Sequence, residues 1–210
     1  MNFRQASLTL ALLLAPAALA IASETKSISK DEYYAAAYYK TALEHPAIAK
    51  LKSDEAKLKA VGKDIKMPPK KLEEAIAKVN GLGGDPGEMA AASIKSALSS
   101  GRMKGKVLDV LLNTEEPKHV VAYVRWQGTS AKDVVKEASE IAHAVSTEAP
   151  FVSTLSLAAI PPTASKDSRE AVWSAKIAAA RMTNIQPKRI DEYAASMYSR
   201  LFEIVDNKPF

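Results

Sequence analysis

The apolar residues of this chain change their spacing near residue 103, from a helical repeat to the alternation of β-strands. Before that point, Leu72, Ile76 and Val79 repeat at i, i+4 and i+7, which places them on one face of a helix. After it, apolar and polar residues alternate over residues 119–127, as on a strand with one buried face. The sequence therefore predicts an α+β fold, with a helical region followed by a small mixed sheet.

Four helices are predicted in the first half, because start and stop signals divide it. Ser29 and Glu32 have the spacing of a capping box, and proline opens each of the later helices. Glycines at residues 81–84 stop the third helix. The four helices are predicted over residues 29–43, 46–61, 69–80 and 86–99.

The second half predicts three or four strands in the order β-β-α-β-(β)-α. Two strands joined by a polar turn form a hairpin, and a helix connects this hairpin to the third strand. Residues 169–182 fit either a strand or a helix; the strand is favoured, with Trp173 facing inward. The predicted strands cover 106–112, 119–127 and 151–160, and helices cover 130–147 and 188–205.

The first 22 residues have the pattern of a cleaved export signal. One positive charge at Arg4 precedes an uncharged run over residues 6–20, and small residues follow in A-x-A spacing. This run is shorter than the about 20 residues of a transmembrane helix, so an uncut anchor is the less favoured alternative. We expect a soluble protein of a bacterial envelope, periplasmic or extracellular. The predicted regions are the signal peptide at 1–22, a helical region at 23–102 and an α+β domain at 103–210.

Composition excludes several kinds of site. The chain has no cysteine, which excludes disulfides, cysteine-ligated metals and thiol nucleophiles. Its histidines, His45, His119 and His143, are not spaced as metal ligands, and motifs of serine hydrolases are absent. The glycine-rich residues 81–87 are typical of a connection between helices. We therefore expect no catalytic residue, no metal and no cofactor.

Four tyrosines surround much of the first predicted helix. Tyr34 and Tyr38 share a face at i, i+4, whereas Tyr33 and Tyr39 lie away from it. Burying all four rings is difficult, and tyrosine suits surfaces with one wet side. The sequence allows core packing, or a binding face for a protein, a glycan or the second copy of a homodimer.

Positive charge is concentrated in the same half. Residues 24–106 hold 16 basic and 11 acidic residues, whereas residues 107–210 hold 12 and 13. Residues 50–71 contain eight lysines and no arginine, which fits a solvated helix face or a surface for anionic lipid or polysaccharide. Export argues against DNA as the partner. The candidate binding residues here are Lys57, Lys63, Lys66, Lys70 and Lys71.

These patterns favour a non-catalytic envelope protein of the scaffold or adaptor type. It would bind an envelope protein or a glycan through its N-terminal helices, with the sheet as support. One alternative is an envelope hydrolase that acts on glycan or peptide through dispersed carboxylates. A further alternative is a binder of anionic surfaces that uses residues 50–71.

Overall fold

Eight α-helices and a five-stranded mixed sheet make up the part of the chain that the structure describes, residues 27–192 and 195–210 of a computed structural model. The helices come first and the sheet second, which confirms the predicted α+β class. The predicted signal at residues 1–22 lies outside the described residues, as does Ala194 of the predicted last helix. Among the described helices, none is both long enough and apolar enough to cross a bilayer.

The N-terminal helices begin largely at the predicted signals. Ser29 and Glu32 form the capping box of α1, and the Asp85 side chain caps α5. The predicted second helix is divided, because Ser53 accepts a hydrogen bond from the Ala56 N–H and begins a new helix. The helices are α1 Lys30–Ala42, α2 Pro46–Ala49, α3 Asp54–Asp64, α4 Pro69–Asn80 and α5 Pro86–Ala97.

The strands follow the order β1-β2-β3-β4-β5, and all neighbouring pairs are antiparallel except β2 and β3. The parallel pair runs from Val121 opposite Thr154 to Gln127 opposite Ile160, and α6 connects its two strands. The elements are β1 Val107–Asn113, β2 Val121–Gln127, α6 Val134–Glu148, β3 Thr154–Ile160, β4 Trp173–Ala178 and α7 Ala179–Met182. The strand favoured within residues 169–182 is therefore present.

The last segment differs from the prediction of one helix over residues 188–205. The chain forms the short helix α8 (Ala195–Ser199) and then a fifth strand, β5 (Glu203–Asn207). β5 pairs with β4, and the Phe202 ring packs edge-on against Trp173, with 5.9 Å between centroids. The β-branched residues of β5 favour an extended chain, and pairing with the edge of β4 outweighs the helical repeat.

Two hydrophobic cores are present in the described part. The main core lies between the sheet, α5 and α6, and includes Trp126 and Trp173, which are at most 1% exposed. The inward position predicted for Trp173 is confirmed. Because α5 contributes to it, this core takes in residues on both sides of the predicted boundary at residue 102. A smaller second core lies among α1, α3 and α4. Its buried residues are Ala35, Val61, Leu72 and Ala75.

Candidate functional site

Helix α1 is held in place at its first turn. The Ser29 N–H donates to Glu32 Oε2 at 2.9 Å, and Ser29 Oγ accepts from the Glu32 N–H at 3.2 Å. Lys78 of α4 donates to Glu32 Oε1 at 2.6 Å and so joins the two helices. The Lys78 hydrogen bond, followed by that from the Ser29 backbone, lowers the pKa of Glu32 from its ordinary 4.5. The backbone that bears Lys30 and Asp31 is therefore held in place against α4.

Helix α3 ends in a Schellman motif that gives Lys66 an unusual backbone conformation. The Met67 N–H donates to the Gly62 carbonyl at 2.8 Å, and the Lys66 N–H donates to the Lys63 carbonyl at 3.4 Å. With φ at 56°, Lys66 is the only non-glycine residue of the described part in the left-handed region. Glycine is usual at this position, and another side chain costs about 1 kcal/mol. Lysine is therefore present here at the expense of stability.

Helix α4 begins with lysines where other helices begin with acids. α1, α3 and α5 each have a side-chain cap and an acidic residue in the first turn, whereas α4 has neither. Lys70 and Lys71 stand in its first turn instead. Cations are unfavourable at the positive end of a helix, so this arrangement also costs stability. The N–H groups of this turn have no side-chain acceptor from a cap, and they would suit an anion.

The turn between β1 and β2 brings a further lysine to α1. The Ser153 hydroxyl donates to the Lys118 carbonyl at 3.0 Å, which anchors this turn beside the start of β3. The Lys118 ammonium lies over the Tyr34 ring, 4.9 Å from its centroid. The Tyr34 ring is in turn 5.7 Å from that of Tyr38, centroid to centroid. Residues that are distant in the sequence therefore form one surface.

These elements surround an open groove of about 590 Å³, which we call the basic groove. Four lysines line it against a single aspartate, so its charge is positive. None of the four lysines forms an ion pair with a described residue. The lining residues are Lys30, Asp31, Tyr34, Ile65, Lys66, Met67, Pro68, Lys71, Lys118 and His119.

The basic groove brings together residues from both clusters that the sequence singled out. Tyr34, Lys66 and Lys71 line it, and together they represent the tyrosine and the lysine cluster. Lys63 and Lys70 are exposed but do not line it.

The other predicted residues lie elsewhere. Tyr33 is 5% exposed and belongs to the main core, and burial raises the pKa of its hydroxyl. Tyr38 and Tyr39 are half-buried and pack against the second core. Lys57 is half-buried and pairs with Asp54 at 3.3 Å. The helix therefore uses its tyrosines for both core and surface.

Seven lining residues were not predicted, and four of these are polar. Lys30 and Asp31 stand at the start of α1, where charged residues are common for reasons of capping alone. Lys118 and His119 belong to the turn before β2. Their approach to α1 depends on how the helices pack against the sheet, which no local pattern shows. A lysine next to a histidine in a hairpin turn is too weak a signal to find this groove.

Several carboxylates lie along α6, where they form hydrogen bonds and ion pairs within the protein. Glu137 is fully buried, and its carboxylate accepts hydrogen bonds from Lys106 at 2.6 Å and from the Trp126 indole at 2.9 Å. Glu140 lies 3.4 Å from Arg102 Nε, and burial raises the pKa of its carboxyl. These contacts are those of a network that stabilises the fold.

The hydrolase alternative requires two carboxylates that face a common cleft. Glu140 and Glu148, with His143, line a cavity of about 300 Å³ beside α6. Glu148 is only 5% exposed and Glu140 is paired with Arg102. The two carboxylates of this cavity are therefore less accessible to a ligand than the lysines of the basic groove. Within residues 27–192 and 195–210, no three acidic or histidine side chains are grouped to hold a metal ion.

Comparison with known proteins adds no relative to this description. No protein-family model matches the chain, and no curated protein or solved structure is significantly similar to it.

Proposed function

We propose that this protein is an exported, non-catalytic envelope protein that binds an acidic partner in its basic groove. The partner, an acidic segment of an envelope protein or an acidic glycan, would present carboxylate or phosphate groups to the lysines. Long-range attraction to such groups is strongest where cations lack acidic neighbours. The sheet and its helices would act as the support.

One observation carries this proposal: the chain breaks two local rules of stability in the same groove. Lys66 occupies a position suited to glycine, and Lys71 stands at the positive end of α4. Both departures add positive charge to a site that has little acid to balance it. Places where local rules fail are often functional, because selection for binding offsets the loss of stability.

The form of the groove also indicates the kind of contact. Its cations are lysines, which act as point charges and do not require a planar carboxylate in one orientation. Tyr34 holds Lys118 over its ring, so this ammonium is positioned before a partner arrives. We therefore expect binding that depends on charge density and falls steeply as salt rises.

The test measures binding of defined polymers by fluorescence anisotropy at low and high salt. The probes are a labelled polyglutamate peptide, a labelled polyuronate and a neutral dextran. In the double variant Lys66→Gln with Lys71→Gln, we expect about tenfold weaker binding of the acidic probes, from about 0.5–1 kcal/mol for each exposed charge. Tyr34→Ala should weaken binding about threefold, because Lys118 loses its support.

Lys176→Gln is the matched control, since Lys176 is exposed on β4 and lies outside the groove. It removes one charge, as each of the single variants Lys66→Gln and Lys71→Gln does, and should leave binding nearly unchanged. If the control lost as much affinity for the acidic probes as the Lys66 and Lys71 variants do, binding would not occur at a defined groove. Vesicles that contain anionic lipid serve as a fourth probe, and binding to them but to neither acidic polymer would favour the anionic-surface alternative.

A further inference from the structure

Helix α1 also borders a second groove, which we call the apolar groove. It has a volume of about 750 Å³ and lies between α1, α4 and the loop that follows α4. Its walls come from α1, α4, that loop, the first residue of α5 and the β1–β2 turn. They are Tyr33, Ala36, Ala37, Tyr39, Lys40, Leu43, Ile76, Val79, Asn80, Gly83, Gly84, Asp85, Pro86 and Thr114.

We propose that the apolar groove binds the acyl chain of a single-chain anionic amphiphile, such as a long-chain carboxylate, with its head group at Lys40. This site is distinct from the basic groove. Among the residues of α1, Tyr34 lines the basic groove, whereas Tyr33 and Tyr39 line the apolar one.

The inner surface of the groove suits an apolar chain. Ala36 is 8% exposed, and its small side chain leaves room beside α1. Ile76 and Val79 of α4 are half-buried apolar residues on the opposite wall. Leu43 lines the end of α1. An acyl chain in this groove would cover apolar surface that faces water in the free protein.

The rim of the groove supplies charge for a head group. Lys40 is exposed in the last turn of α1 and forms no ion pair with a described residue. Asp85 is the acid on the rim, and its carboxylate accepts a hydrogen bond from the Glu88 N–H at 2.9 Å. The positive end of α5 therefore offsets the charge of Asp85, as the negative end of α1 offsets part of that of Lys40. Asp85 already accepts a hydrogen bond, whereas Lys40 has no carboxylate partner among the described residues, so Lys40 is the rim charge with which a head group can pair.

The size of the groove is that of a small-molecule site. Its volume falls within the about 300–1,000 Å³ of such sites, which a single acyl chain matches. An anionic head group adds a pair with Lys40 that a neutral ligand lacks.

The experiment titrates the full-length protein with saturated carboxylates of eight to eighteen carbons and with the matched alcohols, by isothermal titration calorimetry below their micelle concentrations. We expect saturable binding with one site, up to about fourfold tighter for each added CH₂ until the groove is filled. Carboxylates should bind up to about fivefold tighter than alcohols, because an exposed ion pair contributes modestly. In Lys40→Gln, this preference should disappear while the alcohols bind as before.

Ala37→Phe fills the groove and should weaken the binding of both carboxylates and alcohols at least tenfold. Ala37→Leu is a smaller change and should weaken their binding less. Circular dichroism establishes that each variant is folded. Lys176→Gln should keep the preference for carboxylates. The proposal is overturned if affinity rises with chain length without a plateau, if folded Ala37 variants bind normally, or if Lys40→Gln retains the preference. Loss of polymer binding in the Lys66 and Lys71 variants tests the basic groove alone. Failure of one proposal therefore does not decide the other.

Discussion

At the scale of single residues, Lys66 shows how stability and charge can oppose each other. Its backbone closes the end of α3, and its side chain adds a charge to the basic groove. The preceding Gly62 cannot change, because a Cβ there would lie 2.5 Å from the Met67 carbonyl oxygen. The sequence marks Lys66 only as one of eight lysines, since the left-handed φ follows from the turn that α3 makes.

Replacement of Lys66 by glycine should therefore stabilise the protein and weaken binding. We expect the free energy of unfolding to rise by about 0.5–1 kcal/mol, because glycine adopts a positive φ without strain. Urea denaturation measures this change. Lys63→Gly, in the last turn of α3, makes the same chemical change at a helical φ and should destabilise by about 1 kcal/mol. If both variants were less stable than the natural protein, the positive φ of Lys66 would not cost stability.

At the scale of elements, the sequence predicts those whose signals are local. The caps at Ser29 and Asp85 set helix starts, and the alternation over residues 119–127 gives β2 its buried face. β5 was not predicted, because its residues also continue a helical repeat and pairing with β4 decides in favour of the strand. The basic groove was not predicted either, because the turn that bears Lys118 meets α1 only through tertiary packing.

The ion pair between Glu32 of α1 and Lys78 of α4 should make the stability of the protein depend on pH. Its pKa is lowered in the folded state, so its ionised form stabilises the fold above about pH 4.5, and this contribution is lost as the pH falls through the folded-state value. Glu32→Gln keeps a residue that suits a capping box but loses the ion pair with Lys78. The variant should be about 0.5–1 kcal/mol less stable at pH 7.

The two proteins should converge in stability towards pH 3, as measured by urea denaturation over this range. Ser29→Ala is the companion variant, because it removes the hydroxyl of the cap while the pair with Lys78 remains. Its loss of about 1 kcal/mol should change less with pH than that of Glu32→Gln, because the Ser29 hydroxyl lowers the pKa of Glu32 less than Lys78 does. A constant difference between Glu32→Gln and the natural protein from pH 7 to pH 3 would contradict the role given to the ion pair.

At the scale of the whole molecule, Tyr33 connects the N-terminal helices to the sheet domain. Its ring stacks on Phe151, with 4.5 Å between the centroids, and the Thr114 side chain partly offsets the rise that burial causes in the pKa of its hydroxyl. The second core has alanine at two of its four buried positions, so it buries little apolar surface of its own. Helices α1, α3 and α4 therefore depend on the main core for part of their stability.

Tyr33→Ala should cost about 3 kcal/mol, because it removes a buried aromatic ring from the contact between the two cores. Hydrogen exchange should then show α1, α3 and α4 opening before the sheet. Tyr33→Phe keeps the stack and should cost only about 1 kcal/mol through the lost hydroxyl contact. A cost below 1 kcal/mol for Tyr33→Ala, or uniform exchange, would mean that another contact couples the cores.

The arrangement of the sheet also determines the order in which the chain can fold. The β1–β2 hairpin closes over seven residues, whereas the parallel pairing of β2 with β3 waits for the 26 residues that contain α6. β5 joins last in the sequence, and until it does the β4 edge stays open and Trp173 lacks the cover of Phe202. An incomplete chain would therefore expose an unpaired strand beside an aromatic residue, and such an edge is prone to pair with other chains. Pairing of residues 203–207 thus covers the edge of β4 and brings Phe202 onto Trp173, while the open edge of the sheet passes to β5.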